Sequence, residues 1–284
     1  MKIEAPAKLN LALRIAGKRP DGFHELETLM VPLPGLADEI TIESADEFSF
    51  ECDDPTVPSD ETNLVVKAVR AFEKHTGRTC RYHIRLSKRI PHGGGLGGGS
   101  SDAAAVLAAM EILEDAGLTR GDLQNLAAGL GSDVPFFLRQ GACWCRGRGE
   151  LLEDALVEEL PVLLLKPAFG VSTPEAYGRW AGARALAGVR YDPQAVDDIE
   201  LVNDLERPVY EKFPFLAEVK MWLLGRLGVR AALMSGSGAT VFAVLADRDL
   251  GEALGEAARR ELDPGLWSWV GEIGVSPGRR SSSE

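Results

Sequence analysis

Residues 90–105 read IPHGGGLGGGSSDAAA: six glycines between Gly93 and Gly99, broken by Leu96, then two serines, an aspartate and an alanine-rich run. Glycine reaches backbone angles that other residues avoid and lets a ligand approach the main chain. Ser100, Ser101 and Asp102 are helix-capping types, and residues 103–109 are strong helix formers. The stretch therefore predicts a bare loop feeding a helix over 101–116. A helix start offers unpaired N–H groups and a partial positive charge, which suits phosphate. A flexible linker is the bland alternative, but linkers do not end in a capped helix.

Two familiar phosphate loops do not fit. A Walker A loop requires Gly-Lys-Ser/Thr, and Ser100 follows Gly99 with no lysine. A dinucleotide loop follows a fully buried parallel strand. Here the preceding segment, YHIRLSKRI (82–90), alternates apolar and polar residues, as a strand with one wet face does, and Pro91 ends it.

The chain has 284 residues, 45% hydrophobic and 26% charged, enough for two domains with sizeable cores. A net charge of −12 and a pI near 5.0 argue against nucleic acid or an anionic membrane as partner. The four cysteines offer no zinc spacing with histidine, so reduced thiols are expected. MKIEAPAKLN lacks the apolar core of a signal peptide, and no apolar run is long enough to span a membrane. The expectation is a soluble cytoplasmic protein, monomer or homodimer.

Periodicity predicts strands over 2–16, 23–33, 38–51 and 81–90, and a helix from Asp60-Glu61-Thr62 to about His75. Thr119 caps a helix over 120–129, Pro135 sits in the first turn of an element at 131–138, and 141–152 reads as paired strands. Further on come a strand at 160–165, helices over 175–187 and 215–227, two strands within 229–246, a helix over 250–262 and a strand at 267–275. The tail GRRSSSE reads as disordered. Grouped strands and helices indicate an α+β fold.

Three other segments carry candidate chemistry. In PAKLN (6–10), Lys8 and Asn10 share a strand face opposite Leu9, Leu11 and Leu13. GSDVP (131–135) holds Asp133, and DGFH (21–24) holds Phe23 and His24. Read singly, Lys8 is a solvated lysine, Asp133 a helix cap and His24 a strand histidine.

Taken together, PAKLN with DGFHELETL (21–29), the glycine loop, GSDVP, GVSTP (170–174), NDLE (203–206) and MSGSGATVFA (234–243) resemble the GHMP small-molecule kinases. PAKLN and DGFHELETL point to the branch whose acceptor is 4-diphosphocytidyl-2-C-methyl-D-erythritol. The rival acceptors are those of homoserine or mevalonate-type members. The resemblance implies a ribosomal protein S5 domain 2-like N-terminal domain over 1–152 that binds ATP with Mg2+. It also implies a ferredoxin-like C-terminal domain over 153–284, whose last strand returns to the first domain.

For residue roles, the resemblance makes Asp133 the catalytic base and Lys8 its lysine partner. Pro91, Gly93, Gly94, Gly95, Leu96, Gly97, Gly98, Gly99, Ser100 and Ser101 would cradle the triphosphate, with Asn63 near the adenine. Asn10, His24 and Thr173 would contact the acceptor, with Phe23 and Tyr177 sandwiching its cytosine. The family commonly has Tyr at Phe23, often Phe at Tyr177, and an apolar residue at His92. The metal ligands stay open.

Overall fold

Two long strands open the chain, β1 (Lys2–Lys18) and β2 (His24–Ser44). Both run through two compact units, which are interleaved in sequence. The computed structural model describes residues 1–139 and 141–274, so the tail GRRSSSE lies outside the described residues.

The first unit comprises Met1–Ala7, Leu36–His92 and Gly97–Gln140. Its strands are the end of β2, β3 (Ser49–Cys52) and β4 (Tyr82–Ser87). β4 pairs antiparallel with β2 from Glu39↔Ser87 to Ser44↔Tyr82, and parallel with β3. Ile84 and Leu86 face inward while Arg85 is exposed, the one wet face that the alternation predicted. The predicted strand over 38–51 is two strands, because residues 45–48 turn the chain out of β2 before β3 begins.

Four helices complete this unit: α1 (Leu64–Thr76), α2 (Gly98–Glu114), α3 (Arg120–Leu130) and the single turn α4 (Val134–Phe137). Helix α1 shows the amphipathic spacing directly, burying Val65, Val66, Ala68, Val69 and Phe72. Asn63 caps it and Gly77, at φ 71°, ends it. Thr119 and Asp122 form a capping box at α3. The core joins Phe72, Ile40, Ile84, Val106, Leu107 and Met110. Each large apolar side chain so buried contributes about 1.5–3 kcal/mol.

The second unit comprises Lys8–Gly35, Gly93–Leu96 and residues from Gly141 on. In it β5 (Cys143–Gly147) pairs antiparallel with β2, Leu26↔Gly147 to Met30↔Cys143, and turns back as β6 (Leu151–Asp154). Then come β7 (Leu160–Lys166), α5 (Thr173–Arg179), the hairpin β8 (Gln194–Val196) and β9 (Ile199–Asn203), α6 (Glu206–Lys212) and α7 (Pro214–Leu224). Strands β10 (Val229–Met234) and β11 (Val241–Leu245), helix α8 (Leu250–Glu261) and β12 (Trp267–Ile273) close the chain. An antiparallel sheet runs β10-β11-β7-β12. β9 lies parallel to β1, with Ala12↔Val202 and Leu13↔Asn203. The last strand pairs along its length with β7, within the second unit.

Three sequence expectations change here. The helix over 175–187 stops at Arg179 and tightens into a 3-10 turn, Trp180–Gly182, since Gly178 and Gly182 weaken it. The β8–β9 hairpin went unread because its reversal is made by Asp197 at φ 52°, without glycine. The seven-residue helix α6 lies outside the predicted elements and is set by tertiary burial of Glu206, Val209 and Tyr210. No helix among the described residues is long and apolar enough to cross a membrane.

Candidate active site

The second unit gathers three distant segments around Lys8. Lys8 and Asn10 are only 3% and 2% exposed, so the solvated reading of this strand face fails. The Lys8 ammonium donates to the Gly95 carbonyl at 2.8 Å and to Asn10 Oδ1 at 2.5 Å. The Asn10 amide donates to Thr28 Oγ1 at 2.8 Å, and Thr28 donates on to the Ala12 carbonyl. The lysine is thus held by a carbonyl and an amide oxygen.

The glycine segment Gly93–Leu96 is fixed by the turn between β10 and β11. Ser235 Oγ donates to the Gly95 carbonyl at 3.1 Å, and Ala239 and Thr240 N–H groups donate to the Gly93 and Gly94 carbonyls. A Cβ on Gly95, at φ 71°, would lie 2.2 Å from the Ser235 carbonyl oxygen, so only glycine fits. A Cβ on Gly236, at φ 54°, would lie 3.0 Å from Asn10 Oδ1 and 3.2 Å from the Lys8 ammonium. Asn203 holds this turn by donating to the Met234 and Gly236 carbonyls at 2.7 and 2.8 Å. Asn203 and Ser235 carry positional roles that the sequence reading did not assign, although NDLE and MSGSGATVFA contain them.

A ring cluster lies in the same unit. The His24 and Tyr177 rings are 5.3 Å apart, and Trp180 meets His24 edge-on at 5.7 Å. Burial pulls the His24 pKa below its ordinary value, and the nearby Lys18 charge adds to this. Trp180 was not anticipated, although it follows Tyr177 at helical spacing. With Asp204 and Arg207 it lines a cavity of about 390 Å³, within the usual ligand range. Thr173 shares a 2.8 Å hydroxyl contact with Ser237. Phe23 is 48% exposed, with the Arg148 guanidinium 4.9 Å from its ring centre.

The first unit holds the rest of the glycine loop and Asp133. Helix α2 starts at Gly98, earlier than predicted, after Gly97 at φ 73°. Ser100, Ser101 and Asp102 therefore lie inside the helix, and no side chain caps it. With no cap and no acidic residue in that turn, its leading N–H groups favour an anion. The Ser101 hydroxyl is buried with no hydrogen-bond partner among the described residues, which also fits a polar ligand there. Asp133 sits at the N-cap position of α4, yet its carboxylate makes no capping bond, so the cap reading fails. Asn63 caps α1 through Oδ1 at 2.8 Å from Val65 N, and its amide donates to Pro58 O. Both ends of that amide are occupied.

A buried trio lies at the foot of α2. The Lys88 ammonium donates to Asp38 and, at 2.9 Å, to Asp102. Burial pushes the Asp102 carboxyl up to about 7; Lys88 opposes the shift and Asp38 adds to it. Among the described residues, no three His, Cys, Asp or Glu side chains group as metal ligands.

Models for the GHMP kinases N terminal domain and GHMP kinases C terminal match residues 63–141 and 191–263. The chain is 43% identical over 274 residues to the 4-diphosphocytidyl-2-C-methyl-D-erythritol kinase of Methylacidiphilum infernorum, covering 95% of each. The chain belongs to the 4-diphosphocytidyl-2-C-methyl-D-erythritol kinases, a branch of the GHMP kinases. It is a small-molecule kinase. A crystal structure of 4-(cytidine 5'-diphospho)-2C-methyl-D-erythritol kinase superposes with TM-score 0.79 at 34% identity, covering 97% of this chain and 100% of that one. A homoserine kinase from Cytophaga hutchinsonii shares the fold, with TM-score 0.72 at 20% identity over 97% and 94% of the two chains. The two-domain α+β GHMP kinase fold expected from the motifs is the fold found.

Proposed function

We propose that this GHMP kinase transfers the γ-phosphoryl group of ATP to the 2-hydroxyl of 4-diphosphocytidyl-2-C-methyl-D-erythritol, in the non-mevalonate route to isoprenoid precursors. The observation that carries the acceptor assignment is the ring cluster around His24. A small acceptor such as homoserine or mevalonate has no base to stack, so Phe23, His24 and Tyr177 would have no use. Desolvation favours the neutral form of His24, which has one ring nitrogen to donate and one to accept at a base edge. Phe23 and Tyr177 supply the stacking faces, and Asn10 and Thr173 the polar contacts.

In this proposal the residues up to about 152 bind ATP, and 153–284 complete the acceptor site. Asp133 accepts the proton of the acceptor hydroxyl as its oxygen attacks the γ-phosphorus. The bond to the bridging oxygen breaks, and ADP leaves. The Lys8 ammonium offsets the charge that builds on the phosphoryl oxygens. The uncapped start of α2 and residues 93–101, following Pro91, hold the triphosphate. Mg2+ entering with ATP would neutralise phosphate charge. Asn63 would shape the adenine end through its cap on α1. We read the transfer as direct, since no activated nucleophile is assembled among the described residues.

The test is an ATP-dependent phosphorylation assay over a panel: the cytidylyl acceptor, its cytosine-free analogue, homoserine and mevalonate. Turnover confined to the cytidylyl acceptor is expected. Equal use of the cytosine-free analogue would remove the base-recognition reading.

A further inference from the structure

We infer that Arg148 is a specificity-determining positioning residue: its guanidinium backs the Phe23 ring and fixes it as the stacking platform for the acceptor's base. The inference deepens the acceptor assignment above and rests on it.

The backbone of Phe23 is pinned. Its N–H donates to Asp21 Oδ1 at 3.1 Å, and its carbonyl accepts from Arg19 N–H at 2.8 Å. The ring itself is nearly half exposed. An exposed ring on a turn takes its orientation only from what touches it. A tyrosine here would carry a hydroxyl that a hydrogen bond could anchor. Phenylalanine has none, so a ring that must stay in place needs a neighbour on its face.

Arg148 is that neighbour, and its own position is built by the sheet. Leu26 of β2 pairs with Gly147 of β5, so the residues just before Leu26 run beside the residues just after Gly147. There the chain reverses through Gly147 at φ 73° and Gly149 at φ 119°. Glu150 locks the reversal: its carboxylate accepts from Arg148 N–H at 2.6 Å and lies 3.9 Å from Arg148 Nε. Among the described residues, Glu150 is the only ion-pair partner of this guanidinium within 4 Å. The planar, weakly hydrated guanidinium is thereby delivered to the Phe23 face at 4.9 Å, where stacking and cation–π attraction act together. Lysine would keep the charge and lose the plate.

The experiment measures kcat and both KM values for Arg148→Ala, Arg148→Lys, Phe23→Ala and the Phe23→Ala/Arg148→Ala double variant, with thermal melts of each. Arg148→Ala should raise KM for the cytidylyl acceptor about 2- to 30-fold, with kcat and KM for ATP within about twofold and the melt unchanged. Arg148→Lys should recover only part of the loss. The double variant should bind the acceptor no worse than Phe23→Ala alone, because Arg148 acts through that ring. Additive losses, full recovery by lysine, or an unchanged acceptor KM in Arg148→Ala would each overturn the inference. Failure of the acceptor assignment itself is seen separately, as equal KM for cytidylyl and cytosine-free acceptors in the unmodified enzyme.

Discussion

The Lys8 ammonium is bound to the carbonyl of Gly95, 87 residues away, at 2.8 Å. That contact joins the first strand to the glycine loop, and the Ser235 hydroxyl reaches the same carbonyl. In the proposed reaction a lysine so placed is pre-oriented, and its charge costs no rearrangement. Lys8→Ala should lower kcat about 10²–10³-fold, with a smaller change in KM for the acceptor. It should also reduce stability by about 1–3 kcal/mol, since a buried carbonyl and amide lose a donor. Steady-state kinetics on protein shown to be folded checks both. A change in KM alone would assign the lysine to uniform binding.

Asp133 stands at the N-cap of α4 without acting as its cap. Asp133→Asn should lower kcat by about 10²–10⁴-fold. A pre-steady-state assay with bound ATP and acceptor separates chemistry from binding. Turnover within a few-fold of the unmodified enzyme would end its assignment as the base.

The two ends of the glycine loop should fail differently. Gly95→Ala places a methyl group 2.2 Å from the Ser235 carbonyl oxygen at φ 71°. A loss of more than about 2 kcal/mol in urea unfolding is expected. Gly97→Val, at the start of α2, should chiefly weaken nucleotide binding by blocking approach to the first-turn N–H groups. Calorimetric titration showing unchanged ATP affinity in Gly97→Val would contradict the phosphate assignment.

Asp102 gives stability a particular pH dependence. Burial raises its carboxyl to about 7 in the folded chain, while the unfolded value is about 3.9. Between these values the folded state keeps a proton that the unfolded state has released. This group alone therefore makes stability fall as pH rises from about 4 to about 7. Asp102→Asn keeps the shape and removes that contribution. Urea unfolding at several pH values should show a shallower decline in the variant, and identical slopes would refute the assignment.

The local sequence determined the glycine loop ahead of a helix, the wet face of β4, the amphipathic stripe of α1 and the turn between β10 and β11. Each depends on angles or periodicities of residues close in the chain. Motif order also determined the family, and with it the fold. Where α2 begins was not legible, because Ser100, Ser101 and Asp102 suit a cap as well as a first turn. The α6 helix and the β8–β9 hairpin were not legible either. Only tertiary structure decided that Lys8 and Asn10 are buried, that Asn203 holds the turn at 234–236, that Lys88 is shared between Asp38 and Asp102, and that Arg148 covers Phe23. The reason is physical: periodicity tells which residues share a face, but not which distant segment removes that face from water. A polar side chain reads the same in sequence whether its partner is solvent or a carbonyl 87 residues away.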